Sequence, residues 1–194
     1  MGCGKSSVGK ELSTLLGIPV IDLDRYIETK AGMSIPDIFA QHGEAYFRDL
    51  ETSALSELLV PGDHPSETSC DAGPLPSDDG PLPLMLPRVA QFPRGNLPEQ
   101  SSFILSLGGG TILRKENVEM IKERCTCVYL RAGVETLRLH LGGEQSQRPL
   151  LKGGGFEALL EERKPLYAAA ADITIDIDTL TPMQIAGIIA NLLS

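Results

Sequence analysis

The chain has 194 residues, 42% hydrophobic and 22% charged, which suits one packed domain and argues against global disorder. A net charge of −9, 5% aromatic residues and no Trp rank nucleic-acid binding low. No apolar run is as long as a membrane span, and MGCGKSSVGK lacks the apolar core of a signal peptide, so a cytoplasmic protein with no membrane partner is expected. Cysteines at 3, 70, 125 and 127 match no zinc spacing and no disulfide framework, which fits reduced thiols. Cys125 and Cys127 share one face of a strand-like run and read as buried small apolar residues rather than a metal pair.

Helix-like and strand-like spacings alternate along the chain. Val8, Leu12, Leu15 and Leu16 recur at helical spacing, and Gly17 ends that helix. PVIDLD at 19–24 reads as a buried strand ending in acids. Ser34 before Ile35-Pro36 is an N-cap with proline in the first turn, and a second helix from Gly43 to Leu59 carries Phe47, Leu50, Ala54 and Leu58 on one stripe. FILSL at 103–107 is a strand, followed by Gly108-Gly109-Gly110. A helix near 115–124, a strand at 126–130, a helix near 133–141, a Gly-rich stretch at 142–155, a helix near 156–169 and a strand at 172–176 follow. Thr181 caps a last helix that Pro182 starts, with Ile185, Ile188, Ile189 and Leu192 facing inward. Strands separated by helices predict an α/β fold: a parallel sheet with helices on both faces.

Residues 61–102 interrupt this order. They hold nine of the fourteen prolines and keep no period, so they read as an irregular insertion in a single domain spanning 1–194. PLPLMLP at 81–87 is its best candidate for a polyproline segment. On this reading, deleting the insertion leaves turnover nearly unchanged.

Several short motifs carry chemistry. Gly2-Cys3-Gly4-Lys5-Ser6 opens a helix, where backbone N–H groups and the helix dipole suit polyphosphate; Lys5 would reach the β- and γ-phosphates and Ser6 would ligate Mg²⁺. It is the second half of the G-x-x-x-x-G-K-[ST] pattern, so alone it is equally an ordinary Gly-rich terminus. Asp22 and Asp24, two apart at a strand end, share one side; one would hold the metal's water shell and the other would take a proton, unless they are a solvated strand end or a helix N-cap. Arg48 and Glu51 are helix neighbours: a surface ion pair, or an arginine held to grip a substrate carboxylate. The glycines at 108–110 exceed what a turn needs and let a ligand approach the backbone. Arg148, in QRPLL, would close over phosphates, and Arg163 stands in ERKPLY at a helix end; each alone is more often a solvated charge.

The order of these motifs (GKS, DxD, FRxxE, a triple glycine, RPLL and RxPLY) resembles that of the shikimate kinases across nearly the whole chain except 61–102. The resemblance implies a five-stranded parallel sheet in order 2-3-1-4-5, a lid at 142–155, and transfer of the ATP γ-phosphate to the 3-hydroxyl of shikimate with Mg²⁺. It assigns Gly2, Cys3, Gly4, Lys5, Ser6 and Ser7 to ATP and phosphates, and Ser6 and Asp22 to the metal. Asp24 becomes the base and a shikimate-binding acid, Arg48 and Arg163 the carboxylate clamp, and Gly108, Gly109 and Gly110 the lining of the acceptor site. Arg148 becomes the lid arginine, Arg138 or His140 the adenine-stacking residue, and Pro182 part of the adenine loop. A monomer is expected. In this family a central strand precedes the position of Met1, so a gap is expected in the sheet and the chain as written should be poorly stable. A gluconate-type kinase and a non-catalytic nucleotide-binding pseudokinase are the competing readings.

Overall fold

The computed structural model describes the backbone of residues 5–59, 84–87, 102–140 and 156–193, and their side chains apart from 84–87, 138–140 and 156. In chain order the elements are α1 (Lys5–Leu16), β1 (Val20–Asp22), α2 (Leu23–Ala31), α3 (Ile35–Leu59), β2 (Leu84–Pro87), β3 (Ile104–Ser106), α4 (Lys115–Arg124), β4 (Cys125–Arg131), α5 (Val134–His140), α6 (Phe156–Ala170), β5 (Ile173–Asp176) and α7 (Pro182–Leu193). A 3-10 turn at Thr111–Leu113 joins β3 to α4.

Local chemistry sets several helix ends where the sequence places them. The Ser34 hydroxyl accepts the Asp37 N–H at 3.3 Å at the start of α3. Gly43 (φ 81°) breaks the helical run, so 35–42 and 44–59 are separate helical pieces. At α7, Gln184 donates its N–H to the Thr181 hydroxyl at 3.3 Å, while the Thr181 N–H reaches Gln184 Oε1 at 2.9 Å, a reciprocal cap.

The five strands run in the order β1-β3-β2-β4-β5. The pairs β1–β3 and β4–β5 are parallel. β2 is antiparallel to both β3 and β4, so β3 and β4 point the same way. The sheet is apolar on both faces. Ile104, Val128 and Leu130 pack with Val8 and Leu12 of α1 and Ile185 and Ile189 of α7. Leu105, Cys125 and Cys127 pack with Ile27 of α2, Leu55 of α3 and Ile121 of α4. Burial, then the nearby Asp172 carboxylate, pushes the Cys127 thiol up to about 12, so it stays protonated at neutral pH.

Three expectations need correction. First, β1 stops at Asp22, and Asp24 lies in the first turn of α2; the Asp22 carboxylate caps that helix by accepting the Arg25 N–H at 3.2 Å, so the chain turns helical at the first acid. Second, the inward faces of α1 and α7 are narrower than their apolar residues suggest. Leu15, Ile188 and Leu192 are exposed, because the contact between these two helices uses a narrow stripe of each.

Third, the proline-rich insertion is not wholly irregular: Leu84–Pro87 forms β2. Its register pairs Leu84 with Ser106 on one side, and Leu84, Met85, Leu86 and Pro87 with Val128, Cys127, Thr126 and Cys125 on the other. The facing edges of β3 and β4 would otherwise leave buried backbone donors and acceptors unmatched, a cost an extended Leu-Met-Leu segment removes. Pro87 takes the terminal position, where a missing N–H is tolerated. β2 thus takes the central position in the sheet. Excising residues 81–90 should therefore lower the thermal midpoint by roughly 10 °C or more, read by calorimetry, rather than leaving the protein unaffected. An unchanged midpoint would show that β3 and β4 do not need this strand.

Candidate active site

The carboxyl ends of β1 and β3 bring the central groups together. Asp22 and Ser106, the last residues of these two parallel strands, are register partners. Lys5, first residue of α1 and 5% exposed, donates from Nζ to the Leu107 carbonyl at 3.2 Å. A cation therefore sits where β3 runs into the glycine turn. Ser6 is half-buried and Ser7 exposed on the same first turn. The Ser106 hydroxyl, also buried, has no hydrogen-bond partner among the described residues.

The glycines at 108–110 leave room for the protein's own side chains, a reason the sequence alone did not supply. A Cβ on Gly108 would stand 2.7 Å from Asp24 Oδ1 and 3.1 Å from Glu51 Oε1. A Cβ on Gly110 would overlap the Arg48 guanidinium. Neither glycine has positive φ, so space rather than backbone conformation requires them. Arg163 reaches the same turn from α6, donating from a terminal nitrogen to the Gly109 carbonyl at 3.4 Å. Asp24, Arg48 and Arg163 thus meet at three consecutive residues. The helix carrying Arg163 continues through Pro165 to Ala170, so this arginine lies within α6 rather than at its end.

Glu51 organises the hollow. It is fully buried, pairs with the Arg48 guanidinium through Oε2, and accepts the Thr111 hydroxyl at 2.7 Å through Oε1. Glu44 takes a second Arg48 nitrogen at 3.0 Å. Burial works against the Arg48 charge, but Glu51 and Glu44 outweigh it and hold its pKa above the ordinary value. Arg48 is therefore cationic at every working pH. Asn117, fully buried, donates to the Thr111 carbonyl at 2.9 Å and fixes the far side of the turn.

Gly2, Cys3, Gly4, Arg148 and the lid at 142–155 lie outside the described residues, as do the side chains of Arg138 and His140. Pro182 is exposed at the start of α7. Sequence reasoning assigned no part to Thr111, Asn117, Ser106 or Tyr167; the last was visible inside ERKPLY, but its partner was not. A surface hollow between α6 and the β4–β5 edge, lined by Tyr129, Arg131, Lys164 and Thr174, contains none of the site residues. No described helix is long and apolar enough to cross a membrane.

An α/β sheet whose strand ends meet a helix opening with Lys5-Ser6, the acids Asp22 and Asp24, and converging arginines defines a kinase of the P-loop class acting on a small anionic acceptor. The shikimate kinase family model matches residues 1–64 and 95–194. A shikimate kinase of Dictyoglomus turgidum is 36% identical over 182 residues, covering 92% of this chain and 84% of that protein. One from Xanthomonas campestris pv. campestris (strain 8004) is 33% identical over 188 residues, covering 95% and 82%. The solved structure of shikimate kinase from Acinetobacter baumannii in complex with shikimate aligns with a TM-score of 0.73 at 30% identity, over 100% of this chain and 88% of that one. The chain belongs to the shikimate kinase family and is an ATP-dependent kinase. β2 falls in the stretch that the family model leaves unmatched.

Proposed function

We propose that this chain transfers the γ-phosphate of ATP to the 3-hydroxyl of shikimate. The observation that carries the reading is the meeting of Asp24, Arg48 and Arg163 on one glycine turn beside Lys5. Two guanidiniums suit a carboxylate, which they grip through parallel N–H···O bonds. Asp24 stands within the same hollow to accept a hydroxyl proton. In the transfer, the acceptor oxygen bonds to the γ-phosphorus, the bond from that phosphorus to the β–γ bridging oxygen breaks, and ADP leaves with that electron pair. The acceptor proton passes to Asp24. Lys5 would turn from the Leu107 carbonyl to the phosphates, with Gly2, Cys3, Gly4 and Ser7 framing them. Arg148 would close from the lid and Pro182 would border the adenine.

The oxygen groups at the strand ends fit Mg²⁺. Ser6, Asp22 and the unpartnered Ser106 hydroxyl are hard donors, and no cluster of three or more His, Cys, Asp or Glu side chains exists among the described residues. Mg²⁺ is usually held by a few such groups together with waters and phosphates, not by a dedicated cage. When bound, it neutralises phosphate charge. Reduced, buried Cys125 and Cys127 favour a cytoplasmic setting, and the reading takes the chain as a monomer.

ADP release with Mg-ATP and a panel of hydroxy acids tests the assignment. Release with shikimate and not with gluconate is expected. Preference for gluconate would favour another small-molecule kinase, and ATP binding without turnover by the folded protein would favour a pseudokinase. A Gly110→Ala chain should raise the acceptor KM roughly ten- to a hundred-fold, because the Arg48 guanidinium must shift, while the ATP KM holds. Steady-state kinetics with each substrate varied in turn checks this.

A further inference from the structure

Tyr167 is 2% exposed and plays no part in the mechanism above, yet its hydroxyl donates to the Gly109 carbonyl at 2.9 Å. Arg163, one turn earlier on α6, points a nitrogen at the same oxygen from 3.4 Å. The two donors share one acceptor oxygen, whose two lone pairs take both: the phenol holds a normal bond and the guanidinium a long, weak one. The phenol ring is itself fixed, 5.4 Å from the Tyr129 ring and packed with Ile112 and Ala170. Because a trans peptide directs its C=O and N–H to opposite sides, a Gly109 carbonyl held toward α6 turns the Gly110 N–H away from it.

We propose that Tyr167 is a positioning residue for acceptor binding: by holding the Gly109 carbonyl with the stronger of its two bonds, it leaves the Arg163 guanidinium only a weak hold there, so that this group can turn to the acceptor carboxylate. The proposal rests on the shikimate reading of the site. A guanidinium has five donors in a rigid fork, and a fork held to the backbone by only one weak bond can turn to meet a carboxylate in two parallel bonds. Without the phenol, the part-buried Gly109 oxygen lacks its normal bond, and Arg163, which already reaches it, closes on it. The same bond also sets the plane of the peptide between Gly109 and Gly110, beside the Arg48 guanidinium. Tyr167 therefore acts on both arginines of the clamp without touching the acceptor.

Tyr167→Phe tests this, since it removes one oxygen and keeps the ring packing. The shikimate KM should rise roughly 5- to 30-fold, as expected for one lost hydrogen bond to a part-buried acceptor. The ATP KM and kcat should stay within about twofold. In an Arg163→Lys background the same change should cost markedly less, because the contested guanidinium is gone. A lowered melting temperature with an unchanged shikimate KM would make Tyr167 merely structural and overturn the proposal, as would full additivity in the double variant. If the parent chain does not phosphorylate shikimate at all, the functional reading fails first, and that outcome is distinct from either.

Discussion

Asp24→Asn is expected to lower turnover by roughly 10²- to 10⁴-fold, the range for losing a positioned general base. Asparagine keeps the shape of the side chain and can still hydrogen-bond to an acceptor, but it cannot take the proton. Asp24 lies in the first turn of α2, and its Oδ1 borders the space above Gly108. The loss should fall on the chemical step. Single-turnover kinetics should show the slow phase at saturating shikimate, with ATP affinity nearly unchanged. Turnover within tenfold of the parent would remove Asp24 from the proton path.

Among single substitutions, the largest effect on stability is expected from Glu51→Ala. Glu51 is fully buried, and the Arg48 side chain it pairs with is 13% exposed. Two charges in such a setting are held by each other, and removing one leaves the other buried beside an orphaned Thr111 hydroxyl. Breaking a buried pair this way costs about 3–5 kcal/mol, which for a chain of this size lowers the melting midpoint by roughly 6–20 °C. Glu51→Gln should fall between parent and Ala, since it keeps the volume and an acceptor for Thr111 but loses the charge. Calorimetry on the three proteins decides the matter. Equal midpoints for parent and Ala would mean that Glu44 alone suffices to hold Arg48.

What the sequence made readable was local. The Thr181 cap with Pro182, the break at Gly43 and the Arg48–Glu51 spacing each depend on residues a turn apart, and each stands in the structure as the spacing predicts. Asp24 was read on a strand and stands on a helix, because the strand ends one residue after Ile21 and Asp22 begins a cap; a run of alternating apolar and acidic residues cannot show that switch. β2 was missed for the opposite reason. Nothing in PLPLMLP favours a strand by itself; the pairing comes from β3 and β4, which lie far along the chain. Distance also hid the supports of the site. Thr111 meets Glu51 across 60 residues and Tyr167 meets Gly109 across 58, the latter through a backbone atom that no motif records.

The account stands on a carboxylate clamp whose two halves meet at the glycine turn, and Arg48→Lys probes it most directly. Lysine keeps the positive charge beside Glu51 but loses the planar fork. Titration of shikimate and of ATP into the folded Lys variant, by calorimetry, should show shikimate binding weakened at least tenfold with ATP binding within about twofold of the parent. Equal losses for both ligands, or shikimate bound as tightly as before, would contradict the clamp.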